Sequence, residues 1–171
     1  DGSTRSPAVE FTGGDNRLEL RAGYGFEGNV VADGSGDTLE LGGTTDATFD
    51  VTQVGPSQSY RGFSHYRKTG TSTWTLENTT SADTPWEIAS GTLSVASDDS
   101  LGDASAGLSL NGGVLRNTSA FTTGRSVTLD AGSGTLETNQ DLTLTGSLNG
   151  PGSLDKTGAG TLALTTANSY S

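Results

Sequence analysis

Gly150-Pro151-Gly152-Ser153-Leu154-Asp155-Lys156-Thr157-Gly158-Ala159-Gly160-Thr161-Leu162-Ala163-Leu164, running on to Asn168-Ser169-Tyr170-Ser171, is the stretch that decides the fold. It reads as two very short strands, around Leu154 and over Leu162 to Leu164, each placing alternate side chains on opposite faces. Glycine-bearing turns precede and separate them. No helical spacing of apolar residues runs through it. The same grammar occurs 88 residues earlier: Lys68-Thr69-Gly70-Thr71-Ser72-Thr73-Trp74-Thr75-Leu76 shares Lys-Thr-Gly-x-x-Thr-apolar-x-Leu with the stretch from Lys156.

Working outward, apolar pairs one residue apart recur along the chain. They begin with Val9/Phe11, Leu18/Leu20 and Leu39/Leu41, and continue with Trp74/Leu76, Leu93/Val95, Leu108/Leu110, Val127/Leu129, Leu142/Leu144 and Leu162/Leu164. Intervals of 15 to 21 residues are too loose for an exact repeat but suit successive coils of a β-helix, whose turns vary while inward residues keep register. Glycine corners such as Gly42-Gly43, Gly112-Gly113 and Gly132-Ser133-Gly134 lie between the pairs. A hairpin-rich antiparallel protein would use similar turns; the recurrence of Thr beside Leu and the C-terminal motif favour parallel coils. Coils of about 20 residues, stacked at ~4.8 Å, give roughly eight coils and a rod of about 40 Å. Two stretches break the rhythm: 44–66, expected to carry a long corner or small excursion, and the polar 77–85, expected to protrude as a loop before Trp86. Residues 1–8 are expected to be frayed or tag-derived, leaving 9–171 as one β-helical segment.

The composition fits a solenoid better than a compact globule. The 171 residues are 30% hydrophobic with 26 Gly, lean for one central core yet sufficient where each coil buries a thin apolar centre against its neighbours. The net charge of −11 would also suit a disordered chain, but the Leu-x-Leu punctuation opposes that. Such an acidic chain repels phosphate backbones and anionic headgroups, so nucleic-acid and membrane-surface partners are not expected. No apolar run approaches the roughly 20 residues of a spanning helix, so no direct membrane insertion is expected. Cysteine is absent, which leaves packing and backbone ladders to hold the fold. The sequence shows neither a signal peptide nor a membrane barrel and reads as an excised piece.

One local anomaly stands out. Tyr60, Arg61, Phe63, His65, Tyr66, Arg67 and Lys68 gather rings and three of the nine basic residues in an acidic chain. The cluster is a candidate ligand surface, with rings stacking on a sugar and guanidinium groups holding an anion. The competing reading packs the rings inside and leaves the charges solvated. His65 is the single histidine, so any Ser-His-Asp arrangement must use it, yet no Gly-x-Ser-x-Gly elbow is present. Asp98, Asp99 and Asp103 would be glycosidase or calcium candidates, but neighbours on a strand point to opposite faces. Asp33-Gly34-Ser35-Gly36-Asp37-Thr38-Leu39 partly matches a calcium-binding nonapeptide that needs tandem copies, and reads better as a glycine corner. Trp74, Trp86 and Phe121 are expected to fill the core, and Lys68 and Lys156 to lie on the surface beside tight turns. No catalytic, cofactor or metal residue is assigned.

The C-terminal stretch resembles the passenger-associated repeat of bacterial autotransporters, through Gly150, Gly152, Leu154, Lys156, Gly158, Gly160, Leu162, Leu164 and Tyr170. Residues Trp86 to Thr138 resemble the same family more loosely, through Ser90-Gly91-Thr92-Leu93-Ser94-Val95, Ser100-Leu101-Gly102-Asp103 and Arg125-Ser126-Val127-Thr128-Leu129. The resemblance implies an all-β, right-handed parallel β-helix displayed on or shed from a Gram-negative surface. It further implies a non-catalytic stalk that supports secretion and adhesion, with its own C-terminal membrane barrel in the precursor. Host surface proteins or glycans, or sister passenger chains, are the implied partners, and no cofactor is implied. A cysteine-free chain would also thread readily through an outer-membrane pore. A β-helical polysaccharide-degrading enzyme and a self-associating module are the alternatives.

Overall fold

The computed structural model describes residues 7–170, and its strands build a parallel β-solenoid of about eight turns. The first coil holds β1 (Val9–Phe11) and β2 (Arg17–Leu20). The second holds β3 (Val30–Ala32), β4 (Thr38–Leu41) and β5 (Ala47–Asp50), and the third β6 (Tyr60–Arg61), β7 (His65–Lys68) and β8 (Thr73–Glu77). Next come β9 (Trp86–Ile88) with β10 (Thr92–Val95), and β11 (Leu108–Leu110) with β12 (Val114–Asn117). Full three-strand coils resume with β13 (Phe121–Thr123), β14 (Val127–Leu129) and β15 (Gly134–Thr138), then β16 (Leu142–Leu144), β17 (Leu148–Gly150) and β18 (Leu154–Thr157). The last described strands are β19 (Leu162–Leu164) and β20 (Ser169–Tyr170). The strands are short, two to five residues each, because corners rich in glycine and Asx interrupt the runs.

Every strand pairing among the described residues is parallel and joins one coil to the next, which gives the rod three sides. The second side is one continuous sheet from β2 to β20, and the third runs from β5 to β18. The first side is split: β1, β3 and β6 form one sheet, β13, β16 and β19 another, and the two coils between them have no strand there. Partner residues are 19 to 22 positions apart, stretching to 27 to 30 where the third coil lies on the second. That surplus is the 3₁₀ turn Val51–Gln53 and the loop after it, pinned where Val54 bridges Tyr60. The rest of 44–66 is β5, β6 and the start of β7 with the short corners that join them. Residues 78–85 stand where a first-side strand would be, tied to the next coil by Thr80 N to Asp99 O (3.1 Å) and Asp103 N to Ala82 O (2.8 Å). Of the segment expected to be frayed, residues 1–6 lie outside the described residues, while Ala8 N already donates to Asn29 O at 2.7 Å.

Inward side chains stack in columns. On the third side Trp74, Leu93, Leu115 and Leu136 lie one over another, and on the second Leu20, Leu41, Lys68, Ile88, Leu110 and Leu129. All but Leu115 are at most 2% exposed, and burying one such Leu contributes about 1.5–3 kcal/mol. The 21-residue step from Leu18 to Leu39, the 19-residue steps to Leu93 and Val127 and the 20-residue step to Leu162 are true rungs. The two 15-residue steps are not. Leu93 stacks on Leu115 rather than Leu108, and Leu142 on Phe121 rather than Val127. Each shorter step stops one side short of a full turn.

At the N-terminal end, where the third side has no strand in the first coil, the loop after β2 folds over the edge of β5. Tyr24 packs against Phe49 and Trp74 with ring centroids 6.5 and 5.8 Å apart, and Phe26 packs edge-on against Tyr60. The edge that would otherwise offer free backbone groups is thus covered.

Corners set how closely coils approach. Gly70 has φ of +67°, and a Cβ built there would lie 2.1 Å from the carbonyl oxygen of Gly43 in the coil below. Gly13 has nothing within 4 Å of such a Cβ. Asp37, fully buried, is a hydrogen-bond clamp at its glycine corner, one carboxylate oxygen accepting from Asn16 N at 2.7 Å and Asn16 Nδ2 at 2.9 Å. Gly70→Ala is expected to destabilise the fold by about 2–3 kcal/mol, from backbone strain plus the clash. Gly13→Ala should be near neutral, and urea denaturation of the two variants would separate backbone contact from composition.

Candidate functional site

Strand alternation sorts the ring-and-charge cluster. In β7, Tyr66 and Lys68 point inward, and His65 and Arg67 outward. Tyr60, Phe63 and Tyr66 are each at most 7% exposed. Phe63 meets Phe11 edge-on at 6.4 Å, Tyr60 lies 5.5 Å from Phe49, and Tyr66 lies 5.5 Å from Trp86 while donating to the carbonyl of Phe63 at 3.3 Å. Burial pushes both Tyr60 and Tyr66 hydroxyls above the ordinary tyrosine range. Arg61 faces outward from the first side, its Nε donating to Gln58 O at 3.1 Å. The structure therefore brings His65 and Arg67 together on the second side and places the rings inside.

Lys68 corrects an expectation. It is fully buried in the Leu41–Ile88 column, because it is in phase with Tyr66, and inward residues alternate strictly. Its ammonium group reaches the corner and donates to the carbonyls of Thr69 and, at 3.2 Å, Ser90 in the next coil. Desolvation lowers its pKa to about 8, against the opposing pull of Asp46 and Glu40. Asn117 and Thr138, inward on the third side, behave alike: Asn117 Nδ2 donates to Gln140 O at 2.9 Å, and Thr138 Oγ1 to Gly160 O at 3.0 Å. Each buried polar group thus ties its coil to the following one.

Outside the Lys68 column, the second side carries a charge ladder of Glu19, Glu40, Arg67 and Glu87 in register. Arg17 meets Glu40 at 2.6 Å, Arg21 meets Glu19 at 2.8 Å, and Arg67 Nε stands 3.0 Å from Glu87. The hydrogen bond from Arg21 leads in holding the Glu19 carboxyl below its ordinary value. Further along, the ladder turns neutral through Ser109, Thr128, Asn149 and Ser169. Beside it, two hollows of about 300 and 220 Å³ share Pro85 and Glu87.

The three aspartates do not converge. They belong to a 3₁₀ turn and the loop after it, rather than to a strand. Asp98 pairs with Arg125 at 2.7 Å, and the Asp103 carboxylate accepts from the amide and hydroxyl of Ser105. Among the described residues, no group of three His, Cys, Asp or Glu side chains is placed to hold a metal ion. Arg125, noticed in the sequence only within a family-like stretch, is 2% exposed and plugs the strandless gap of the first side. Besides Asp98 it donates to the carbonyls of Asp103 (2.6 Å), Ala106 (3.1 Å), Asp98 (3.1 Å) and Gly102 (2.5 Å). Nothing in the local sequence separates it from a surface arginine.

The C-terminal motif forms the last two coils. Gly150 has φ of +121°, and a Cβ there would lie 2.1 Å from Leu129 O, while one on Gly152 would lie 2.0 Å from Asp130 O. Leu154, Leu162 and Leu164 are half-buried over Gly134, Leu142 and Leu144. Lys156 is exposed and donates to Gly158 O at 2.8 Å, Gly160 closes the corner against Gln140, and Tyr170 is 40% exposed.

These features define an all-β parallel solenoid whose buried polar groups serve coil stacking and whose open surface is polar. Its sequence is similar to a stretch of an autotransporter adhesin. Over 146 residues, 83% of this chain, it is 37% identical to the protein named Adhesin BmaC autotransporter from Brucella suis biovar 1 (strain 1330). The matched part is 4% of that protein's length. No family model and no solved structure matches the chain. No helix among the described residues is long and apolar enough to cross a membrane.

Two variants test the buried polar groups. Lys68 loses its proton earlier in the folded than in the unfolded state, so between pH 8 and its ordinary value of 10.5 the unfolded state holds more protons and stability rises with pH. Relative to Lys68→Met, the native protein should gain about 1–2 kcal/mol from pH 8 to 10 in chemical denaturation; parallel curves would contradict it. Arg125→Ala strips four carbonyls and Asp98 of their partner and should cost about 3–5 kcal/mol. Hydrogen exchange should accelerate first around Asp98 to Ala106.

Proposed function

We propose that the chain is a non-catalytic stalk segment of an autotransporter passenger, exported to the surface of a Gram-negative cell, where it supports passenger folding and adhesion. The observation that carries this reading is the parallel stacking of coil on coil in a chain similar to part of an adhesin of that class. A solenoid of this kind gains stability by nearest-neighbour addition. Each coil that folds outside the membrane resists sliding back, so sequential stacking biases export outward. The buried polar ties of Lys68, Asn117 and Thr138 act in the same direction, since each is completed only when the following coil arrives. The partners in this reading are a host surface protein or glycan, sister passenger chains, and a C-terminal membrane barrel belonging to the same precursor.

The test is display. With the segment placed in a passenger ahead of its barrel, Leu93→Asp combined with Leu115→Asp should cut surface exposure, read by protease accessibility on intact cells, to a small fraction of the native level. Thr122→Asp, outward on β13, should leave display unchanged. Equal display of both variants would sink the folding-driven reading. Loss of adherence on deleting the segment, with display of the remaining passenger intact, tests the adhesive part.

A further inference from the structure

The Lys-Thr-Gly corner occurs twice, at Lys68-Thr69-Gly70 and at Lys156-Thr157-Gly158, and the two copies differ in what lies over them. Lys156 is paired in register with Leu136, so it continues the inward column of Trp74, Leu93, Leu115 and Leu136. Residues paired across parallel strands share one face of the sheet. The outward residues of β18 are Asp155 and Thr157, paired with Thr135 and Glu137. Lys156 is exposed nevertheless, because among the described residues no strand lies on the side of β18 away from β15.

Lys68 shows what the same corner becomes under a further coil. Its ammonium donates to the carbonyl of Thr69 within the corner and to Ser90 O of the following coil at 3.2 Å, and the residue is fully buried. The covering corner is glycine: a Cβ on Gly91 would lie 2.5 Å from Gly70 O and 2.6 Å from Lys68 Nζ. Lys156 makes the bond within its corner, to Gly158 O at 2.8 Å, and its ammonium keeps donors for a second acceptor. Beside it Leu162 and Leu164 are half-buried, whereas Leu142 and Leu144 beneath them are 2% exposed. An apolar ligand on this face would desolvate the ammonium without an acceptor, and an anion would approach a chain of net charge −11. A stacked coil answers both needs, with apolar side chains over the leucines and corner carbonyls over the ammonium. A second copy stacked head to tail does not supply that cover, since the third side of its first coil is the Tyr24 loop rather than a strand.

We propose that the face formed by β18 and β19 receives a further coil of the same solenoid, and that Lys156 is the open half of an inter-coil latch. A corner carbonyl of that coil closes it, as Ser90 O closes Lys68. The proposal rests on the stalk reading and gives it a locking residue. The corner that covers Lys156 is glycine, because a side chain in the place of Gly91 meets the backbone of the corner below as well as the ammonium.

The experiment extends the chain by one coil. A copy of Pro151 to Tyr170, with leucine in place of its lysine, is placed directly after Tyr170, which pairs with Gly150 and so keeps the register; the copy's own Gly158 supplies the glycine corner. Acetic anhydride labelling, read residue by residue in a mass spectrometer, should modify Lys156 of the native chain readily and spare Lys68. In the extended chain Lys156 should react about tenfold more slowly or less, and the amides of Leu162 to Leu164 should gain protection from hydrogen exchange. Protected amides beside a Lys156 that still reacts at its native rate would mean that the coil stacks and the latch stays open. No protection at either place would mean that the face takes no coil, and a native chain that light scattering shows as a dimer with Lys156 shielded would give the face to a second copy. Each of these three results overturns the proposal. They leave display of the passenger untouched, whereas unchanged display of the Leu93→Asp, Leu115→Asp variant removes the stalk reading whatever Lys156 does.

Discussion

The distance between coils, fixed at ~4.8 Å by parallel backbone hydrogen bonding, is the constraint on which everything else depends. It leaves no room at the corners for side chains that point toward the neighbouring coil, which is why the tightest corners are glycine. It also forces every inward residue to lie directly over its counterpart. Columns of leucine follow from that, because only residues of similar breadth stack at this spacing without gaps. A core built this way has no single centre and cannot be judged from overall hydrophobic content.

The same constraint explains why polar residues appear inside. Coils that are nearly interchangeable in an apolar column carry little information about which should follow which. Lys68, Asn117 and Thr138 interrupt the columns, and each donates to a carbonyl of the following coil. They resemble the buried polar residue of a coiled coil, which gives up stability to specify register. The charge ladder of Glu19, Glu40, Arg67 and Glu87 adds a second set of distinguishing contacts on the outer surface.

Much of this was legible from residues alone. The Leu-x-Leu pairs identify strands, and the spacing near 20 residues identifies coils, because both periods are local properties of the backbone. The number of sides was not legible, since a three-sided coil supplies several similar pairs and the 15-residue steps mix one side with another. Lys68 is inside although its neighbourhood looks like a turn, because its position is decided by phase with Tyr66. Arg125 is illegible for a different reason: apart from the Asp98 carboxylate its partners are backbone carbonyls up to 27 positions away, and carbonyls leave no mark in a sequence. Of the ring-and-charge cluster, alternation separated what proximity in sequence had joined.

The split first side also has a mechanical meaning. Two faces of the rod are reinforced by unbroken hydrogen-bonded sheet through the middle coils, and one is not; there, Arg125 and its ring of carbonyls take the place of strand-to-strand bonding. Under sideways load a beam of this section is not equally stiff in all directions, and flexure concentrates where the reinforcement stops. The middle of the rod is therefore its compliant point, able to lean toward or away from its bare face while the two sheeted faces keep the coils in order.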